Sequence, residues 1–304
     1  MNDQFDELTK SIAQSVTRRA ALKKFGLGLA GLTLTRLGLR DAQAITNGTL
    51  DGNAHPNVGG FVWLTNIWSP HPPPVFIGTG SLIHPRDVLT AGHGTYAIES
   101  AVANGIMTMN DVLISFASDA TNAATWREIS SVLTHPTYFD PPEGNGPPLA
   151  DIGVAILKEC ITDLPLMPLA PVGCLVDLEA AGELHSGTDR AGFTVVGYGA
   201  VLEEDSRQIV FPPDGLRRFT ESAFRSLNER WLHLDINPVH DLGGGASGDS
   251  GGPTLWRDPL TGESTVVAVT SRGNLALDSK SRVDTEEALS FLNAVITKVE
   301  AGEL

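Results

Sequence analysis

The chain has 304 residues, of which 41% are apolar and 19% charged, which is enough apolar material for a large buried core and excludes a disordered protein. It carries 36 acidic and 21 basic residues, for a formal charge of -15, and its body has no block of Lys and Arg larger than a pair. These features exclude nucleic-acid binding through a basic face. The 32 Gly and 19 Pro predict many turns and a strand-rich fold.

The first 44 residues differ from the rest, with seven basic and four acidic side chains. The pair Arg18-Arg19 precedes a Gly- and Leu-rich run over 25–39, and Ala42-Gln43-Ala44 has the small-x-small pattern of a cleavage site. The run is shorter than the roughly 20 residues of a membrane span. We interpret 1–44 as an export signal that resembles the twin-arginine type, with an amphipathic helix of a cytosolic protein as the alternative. We therefore expect a periplasmic or extracellular protein with no membrane span after processing.

Short apolar runs between turn signals predict strands along the body of the chain. They cover residues 61–67, 75–83, 112–116, 152–157, 193–198, 231–234 and 265–269. The C-terminus is different: Asp284 and Glu287 have the spacing of a capping box, and apolar residues follow at helical intervals up to Val299. Many short strands with one closing helix predict an all-β barrel or sandwich.

Cysteine is scarce, with Cys160 and Cys174 at the two ends of a Pro-rich stretch. In an exported chain they could form a disulfide, worth about 3 kcal/mol for so short a loop, or remain two free thiols. No Cys and His residues have the spacing of a metal site. The stretch is our candidate linker between two halves of similar size.

The segment GDSGGP at 248–253 carries the strongest functional signal. A serine hydroxyl becomes a nucleophile when it lies on a tight turn, near a base, with backbone N–H donors facing the same cavity. The glycines on both sides of Ser250 allow such a turn and the close approach of a substrate.

Two further segments supply the partners that such a serine needs. His93 ends the run TAGH directly after a predicted strand, and Asp151 heads the apolar strand DIGVAIL. A buried carboxylate is costly unless it is hydrogen-bonded, and an imidazole N–H is a suitable donor. A base, an orienting acid and a nucleophile thus occur in the order His93, Asp151, Ser250.

Residues 45–304 resemble a trypsin/chymotrypsin-type serine peptidase. TAGH at 90–93 is similar to that family's TAAHC, DIGVAIL at 151–157 to its DIAL strand, and GDSGGP at 248–253 is its nucleophile segment unaltered. The resemblance implies an all-β fold of two packed six-stranded antiparallel β-barrels with a C-terminal α-helix. It also implies a first barrel over 45–160, a linker over 161–175 and a second barrel with the helix over 176–304. The family's own disulfides are missing.

The resemblance also implies roles for other residues. The backbone N–H groups of Gly248 and Ser250 would form the oxyanion hole, and the backbone of Ser271 and Gly273 would bind the substrate strand. Gly244, six positions before the nucleophile, would be the floor of the side-chain pocket. Its lack of charge predicts apolar or aromatic side chains before the scissile bond, whereas a preference for Arg or Lys would implicate Asp241 or Asp278.

The resemblance further implies an activation pair. Cleavage after Ala44 would expose the ammonium group of Ile45, which would pair with Asp249 and order the oxyanion hole; the alternative is that Ile45 follows the leader by coincidence. We expect a monomer that hydrolyses protein or peptide substrates without a cofactor or a metal.

Two other functions compete with the peptidase. The first is a catalytically inactive, peptidase-like binding module. The second is an α/β-hydrolase-type esterase, because Gly248, Ser250 and Gly252 also fit the nucleophile elbow G-x-S-x-G. That fold requires a His after the serine, and no His follows Ser250.

Overall fold

A computed structural model describes residues 48–304, except for 66–72, 139–149, 186–190, 203–208, 211–212, 238–239, 241 and 274–276. The predicted export signal and Ile45 therefore lie outside the described residues, as does Asp241.

Six strands close into a first antiparallel barrel in the order β2-β3-β4-β7-β6-β5. They are β2 (Val58–Trp63), β3 (Val75–His84), β4 (Asp87–Thr90), β5 (Val112–Ser115), β6 (Trp126–Thr134) and β7 (Gly153–Leu157). The pairing of Gly60 with Ser115 closes the barrel. Its interior is filled by side chains such as Phe61, Leu82 and Ile114, each of which contributes about 1.5–3 kcal/mol through burial.

A second barrel closes in the order β8-β11-β12-β15-β14-β13, with β13 and β11 both paired to β8. Its strands are β8 (Gly192–Gly197), β11 (Arg218–Leu227), β12 (Trp231–Asp235), β13 (Pro253–Arg257), β14 (Ser264–Gly273) and β15 (Leu277–Arg282). The two-residue strands β9 (Val201–Leu202) and β10 (Ile209–Val210) form a separate hairpin. Every strand pair in both barrels is antiparallel, which rules out the parallel sheet of an α/β-hydrolase.

Three α-helices accompany the barrels in the described part of the chain. They are α1 (Gly92–Ala103), α2 (Cys174–Ala180) and α3 (Glu286–Glu300). The two six-stranded barrels and the C-terminal helix α3 together confirm the predicted fold class. Helix α3 buries Leu292, Val295 and Val299. These side chains share a core cluster with Val58 of the first barrel and Val196 of the second. The two barrels and the helix are thus joined by one apolar core.

The predicted cap of α3 is wrong by one residue. Thr285 is the N-cap, and its hydroxyl accepts a hydrogen bond from the Ala288 N–H at 3.2 Å. Asp284 is fully buried instead, pairing with Arg282 at 2.8 Å and accepting the Leu175 N–H at 2.8 Å. Asp284 therefore anchors the start of α2 on the second barrel.

Both cysteines are free thiols, so of the two alternatives the disulfide does not form. Cys160 is exposed beside the first barrel. The backbone N–H of the following residue, Ile161, donates to the Pro85 carbonyl at 2.8 Å. Cys174 begins α2 and packs against the core of the second barrel. The stretch between them runs from the first barrel, where Ile161 is bonded, to the second, where the Ala170 N–H donates to the Val266 carbonyl at 3.0 Å.

The chain enters the described structure through the second barrel. Strand β1 (Thr49–Leu50) pairs with Phe219 and Arg218 of β11. Directly after it, Asp51 forms a buried ion pair with Arg217 at 2.7 Å. The Arg217 guanidinium also donates to the Val58 carbonyl at 2.9 Å and the Phe116 carbonyl at 2.8 Å, both in the first barrel. A single buried arginine thus joins the start of the described chain to both barrels.

Candidate active site

His93 lies in the first turn of helix α1, three residues after strand β4 ends. The sequence predicted a His at the end of a strand and no helix here, so the helix is an addition to that prediction. Thr90, the last residue of β4, pairs with Gly153 at the start of β7. Because Asp151 directly precedes β7, this pairing brings Asp151 alongside the start of α1.

Asp151 holds His93 through two hydrogen bonds. Its Oδ2 lies 2.9 Å from His93 Nδ1, and its Oδ1 accepts the backbone N–H of His93 at 2.7 Å. With an ionised carboxylate on Nδ1, that nitrogen carries the proton and Nε2 is left as a proton acceptor. One carboxylate therefore fixes both the position and the tautomer of the imidazole.

The charge of Asp151 is stabilised although its side chain is only 2% exposed. Burial alone would raise the pKa of this carboxyl, but attraction to His93 and the hydrogen bonds from His93 and Ser271 hold the pKa below its ordinary value. Ser281 accepts the Asp151 N–H at 3.2 Å. Asp151 thus stays ionised in a buried position.

The loop around Ser250 is held by backbone hydrogen bonds from both barrels. The Ser250 carbonyl accepts the Thr79 N–H of the first barrel at 2.9 Å, and the Gly251 N–H donates to Thr270 of the second at 2.8 Å. Gly248 and Gly251 adopt φ angles of 103° and 83°, in the left-handed region that favours glycine. The tight turn predicted from GDSGGP is present.

Gly251 brings the Ser250 loop into contact with Thr90 and Ala91, which lead into His93. A Cβ atom at position 251 would lie 2.1 Å from Thr90 Oγ1 and 2.6 Å from the Ala91 backbone nitrogen. Only glycine allows the loop to lie against the residues that lead into His93. The structure therefore brings the segments of His93, Asp151 and Ser250 together where the two barrels meet.

The predicted oxyanion-hole donors, Gly248 and Ser250, both lie in this loop. Among the described residues, the backbone N–H groups of Gly248 and Ser250 donate to no protein acceptor. Thr79 orients this part of the loop, because its hydroxyl donates to the Gly248 carbonyl at 2.9 Å and accepts the Tyr198 N–H at 3.1 Å. Free N–H pairs of this kind stabilise a developing oxyanion.

Asp249 points away from solvent, into a space lined by glycines. Its Oδ1 accepts the Gly199 N–H at 2.7 Å and its Oδ2 accepts the Ala246 N–H at 2.8 Å. A Cβ atom at Gly197 or Gly199 would lie 2.0–2.2 Å from these oxygens, which explains the two glycines that flank Tyr198. Burial raises the pKa of Asp249 to about 7. Its expected partner, the ammonium group of Ile45, lies outside the described residues.

Gly244, the predicted floor of the side-chain pocket, lies beside the buried carboxylate of Asp278. Asp278 Oδ2 would lie 3.0 Å from a Cβ atom at Gly244, and it accepts the Gly245 N–H at 2.6 Å. The same oxygen pairs with Lys280 Nζ at 2.7 Å, and both side chains are at most 1% exposed. Asp278 Oδ1 has no hydrogen-bond partner within the described residues. A buried ion pair with no net charge therefore lies beside Gly244.

Ser271 and Gly273 lie on strand β14, which runs from the nucleophile loop along the edge of the site. The backbone of this strand was predicted to bind substrate, and Gly273 is exposed as that role requires. The Ser271 hydroxyl also donates to Asp151 Oδ2. This contact was missed, because nothing in the local sequence shows which hydroxyl a carboxylate 120 residues away will bind.

Neither a metal centre nor a membrane span emerges from the described ranges. They contain no group of three or more His, Cys, Asp or Glu side chains suited to hold a metal ion. None of their helices is both long enough and apolar enough to cross a bilayer.

The two six-stranded antiparallel barrels, with the candidate site between them, have the architecture of the chymotrypsin-like fold. No protein-family model matches the chain, and no curated protein matches it significantly. The assignment of a function therefore depends on the geometry of the site.

Proposed function

We propose that the chain is a serine endopeptidase that cleaves peptide bonds with Ser250 as nucleophile, His93 as general base and Asp151 as orienting acid. The observation that carries the proposal is the buried Asp151 carboxylate, bonded to both the ring and the backbone of His93, beside a Gly-flanked serine turn. A carboxylate bound in this way supports an imidazole that accepts a proton and then carries a positive charge.

In this mechanism Ser250 Oγ attacks the scissile carbonyl carbon while His93 Nε2 takes the hydroxyl proton. The oxyanion of the tetrahedral intermediate accepts hydrogen bonds from the Gly248 and Ser250 N–H groups. His93 then gives its proton to the leaving amine as the C–N bond breaks, which produces an acyl-enzyme. A water molecule, deprotonated by His93, attacks the ester and releases the acid product, and the proton returns to Ser250. Asp151 stays ionised throughout.

Substrate binding follows from the exposed backbone of β14. An extended peptide can add to this edge as a further strand, so that Ser271 and Gly273 provide affinity for any peptide backbone. The side chain before the scissile bond would enter between Gly244 and Gly273, above the Asp278–Lys280 pair. A neutral pair gives a substrate cation no net attraction, so we do not expect a preference for Arg or Lys.

The proposal includes export and a single-chain enzyme. The leader pattern in residues 1–44 supports a periplasmic or extracellular location, and the acidic composition supports solubility in an external medium. The competing function is an inactive binding module of the same fold, in which the three residues would be present without reactivity.

A fluorophosphonate probe distinguishes the two functions, because it forms a covalent adduct only with an activated serine. We expect one adduct on Ser250 of the folded, processed protein, located by peptide mass spectrometry. Ser250→Ala and His93→Ala should abolish it, whereas Ser290→Ala, on the exposed face of α3, should label like the parent protein. Absence of the adduct in folded protein would favour the binding module.

A further inference from the structure

A row of polar side chains crosses the outer face of the second barrel and ends at the candidate site. Ser226 of β11 is paired with His233 of β12, His233 with Ser279 of β15, and Ser279 with Arg272 of β14. Cross-strand partners point to the same face of a sheet. The neighbours of His233 on its own strand, Leu232 and Leu234, are fully buried, which places the row on the outside of the barrel.

Three of the side chains on this face are basic, and we call Arg225, His233 and Arg272 the cationic row. Arg225 is exposed and lies in the β-bulge next to Ser226. His233 Nδ1 lies 3.1 Å from Ser279 Oγ. Partial burial lowers the pKa of His233, and the charges of Arg225 and Arg272 lower it further, so both guanidinium groups act on the ring. Asp235, two residues along β12 from His233, is an acidic residue beside the row and pairs across the strands with Ala223 and Leu277.

Arg272 is held in place at the end nearest the site. Its guanidinium carbon lies 4.6 Å from the centre of the Trp231 ring, and Trp231 is buried beneath it. Stacking on an aromatic ring uses the face of the guanidinium and leaves the N–H groups at its edge for a carboxylate, which they can bind in a bidentate manner. Burial lowers the pKa of this guanidinium and the charge of Asp151 opposes that shift, but no carboxylate of the described residues forms an ion pair with Arg272.

The position of Arg272 connects it to the proposed substrate strand. It lies between Ser271, whose hydroxyl binds Asp151, and Gly273, which is exposed on the edge of β14. A peptide added along this edge would therefore pass the guanidinium just before it reaches Ser250. The whole chain has a formal charge of -15, so an acidic peptide would be repelled by most of the surface and attracted at the cationic row.

We propose that Arg272 selects substrates with an acidic side chain among the four residues that precede the scissile bond. The carboxylate of that side chain would bind the edge of the guanidinium, and the Arg225 charge would extend the favourable field along the peptide. This inference rests on the proposed peptidase function and names the substrate class of the same site.

The test uses peptide pairs that differ only in Glu or Gln at each of the four positions in turn. For the parent protein we expect kcat/KM to favour Glu at one position or more by roughly tenfold, as for a hydrogen-bonded charge pair. Arg272→Met, which keeps the packing on Trp231, should bring the ratio close to one. Arg272→Lys should retain part of the preference, and Arg257→Met, a control on the exposed end of β13, should keep all of it. Equal kcat/KM for Glu and Gln at all four positions in the parent protein would overturn the proposal.

A binding measurement separates failure of this inference from failure of the proposed function. If Ser250 takes no probe and no peptide is cleaved, the peptidase proposal fails, and fluorescence anisotropy of a labelled Glu peptide still reports on Arg272. Tighter binding of the Glu peptide than of its Gln counterpart, lost in Arg272→Met, would support the acidic preference. Equal binding of the two peptides to the parent protein would contradict it.

Discussion

The Ser271 hydroxyl donates a hydrogen bond to Oδ2 of Asp151, the same oxygen that lies 2.9 Å from His93 Nδ1. Two donors from different barrels therefore meet on one carboxylate oxygen. Because a hydrogen bond to the charged form lowers a pKa, Ser271 helps to keep Asp151 ionised although the carboxyl is buried. Ser271 is thus a positioning residue for the His93–Asp151 pair.

We predict that Ser271→Ala lowers kcat/KM by roughly tenfold to a hundredfold, the usual effect of losing a hydrogen bond to a charged group. It should also raise the pKa of Asp151, so that activity on the acidic side declines at a higher pH than in the parent protein. The measurement is the pH profile of kcat/KM, with Ser271→Thr as the variant that restores the hydroxyl. A lower rate with an unchanged profile would indicate only a structural role.

Gly251→Ala tests the contact that brings the serine loop to the His93 segment. We expect a loss of about 1–2 kcal/mol of unfolding free energy from the left-handed backbone and about 1–3 kcal/mol more from overlap with Thr90 and Ala91. Gly52→Ala is the matched control, because Gly52 also has a positive φ but open space around it. Chemical denaturation measures the free energy of unfolding of both variants. The rate of fluorophosphonate labelling should fall only in Gly251→Ala. Equal effects in both variants would argue against a tight contact at position 251.

Lys280→Met should change the specificity of the side-chain pocket. Removing the ammonium leaves the Asp278 carboxylate buried without its partner, which destabilises the free protein by about 3–5 kcal/mol. A substrate Arg or Lys can then supply the missing charge, so cleavage after these residues should become favoured. Benzamidine should raise the Tm of this variant and leave the Tm of the parent protein unchanged. The double change Asp278→Asn with Lys280→Met removes both charges and should show neither effect; a cation preference in the double variant would place the specificity elsewhere.

The activation pair predicts a pH dependence of stability. Without a cationic partner, Asp249 has a folded-state pKa of about 7, above the ordinary value of 3.8. A raised pKa means that the folded state favours the protonated form of Asp249. The contribution of this group to the free energy of unfolding is therefore complete below about pH 4 and is lost as the pH rises to about 7. The total loss is about 4 kcal/mol. A chain that begins at Ile45 should avoid this loss, because its ammonium group would pair with the ionised carboxylate.

Two proteins are compared: the chain that starts at Ile45, and the same chain with one additional Met before Ile45. Urea unfolding measures the free energy of unfolding of each at pH 5 and pH 8. We expect the additional Met to reduce stability mainly at pH 8 and to reduce activity with it. The same pH dependence in both proteins would show that Ile45 does not pair with Asp249.

The short apolar runs between turns predicted an all-β barrel or sandwich, and the resemblance to the peptidase family implied the two six-stranded barrels. The runs at 75–83, 152–157 and 193–198 correspond to β3, β7 and β8 within two residues at either end. The three segments of the candidate site were found in the same way, since each has a local pattern that its chemistry requires. Helix α1 was missed because its sequence contains two glycines and no side-chain cap, so that packing against β6 and β7 rather than propensity determines it.

Strand β15 was missed because its polar residues point inward. Strand β15 reads LDSKSR, and Asp278 and Lys280 both face the interior, where each neutralises the other. A pattern of alternating polarity cannot reveal a strand whose buried face is itself charged. Asp278 was named as a candidate specificity residue, but its partner Lys280 was not predicted, because the pairing depends on the same inward-facing strand.

The place of β1 has a consequence for the order in which the protein is assembled during synthesis. Thr49 and Asp51 are partnered by Phe219 and Arg217, far along the chain, whereas β2 to β7 have all the strands that they pair with by Leu157. The first barrel can therefore close while the ribosome is still translating the second, because domains fold as their residues emerge. The segment at the start of the described chain must wait, and it docks only after β11 exists. Until β11 has been synthesised, the segment from Thr49 to Asp51 therefore has no strand to pair with.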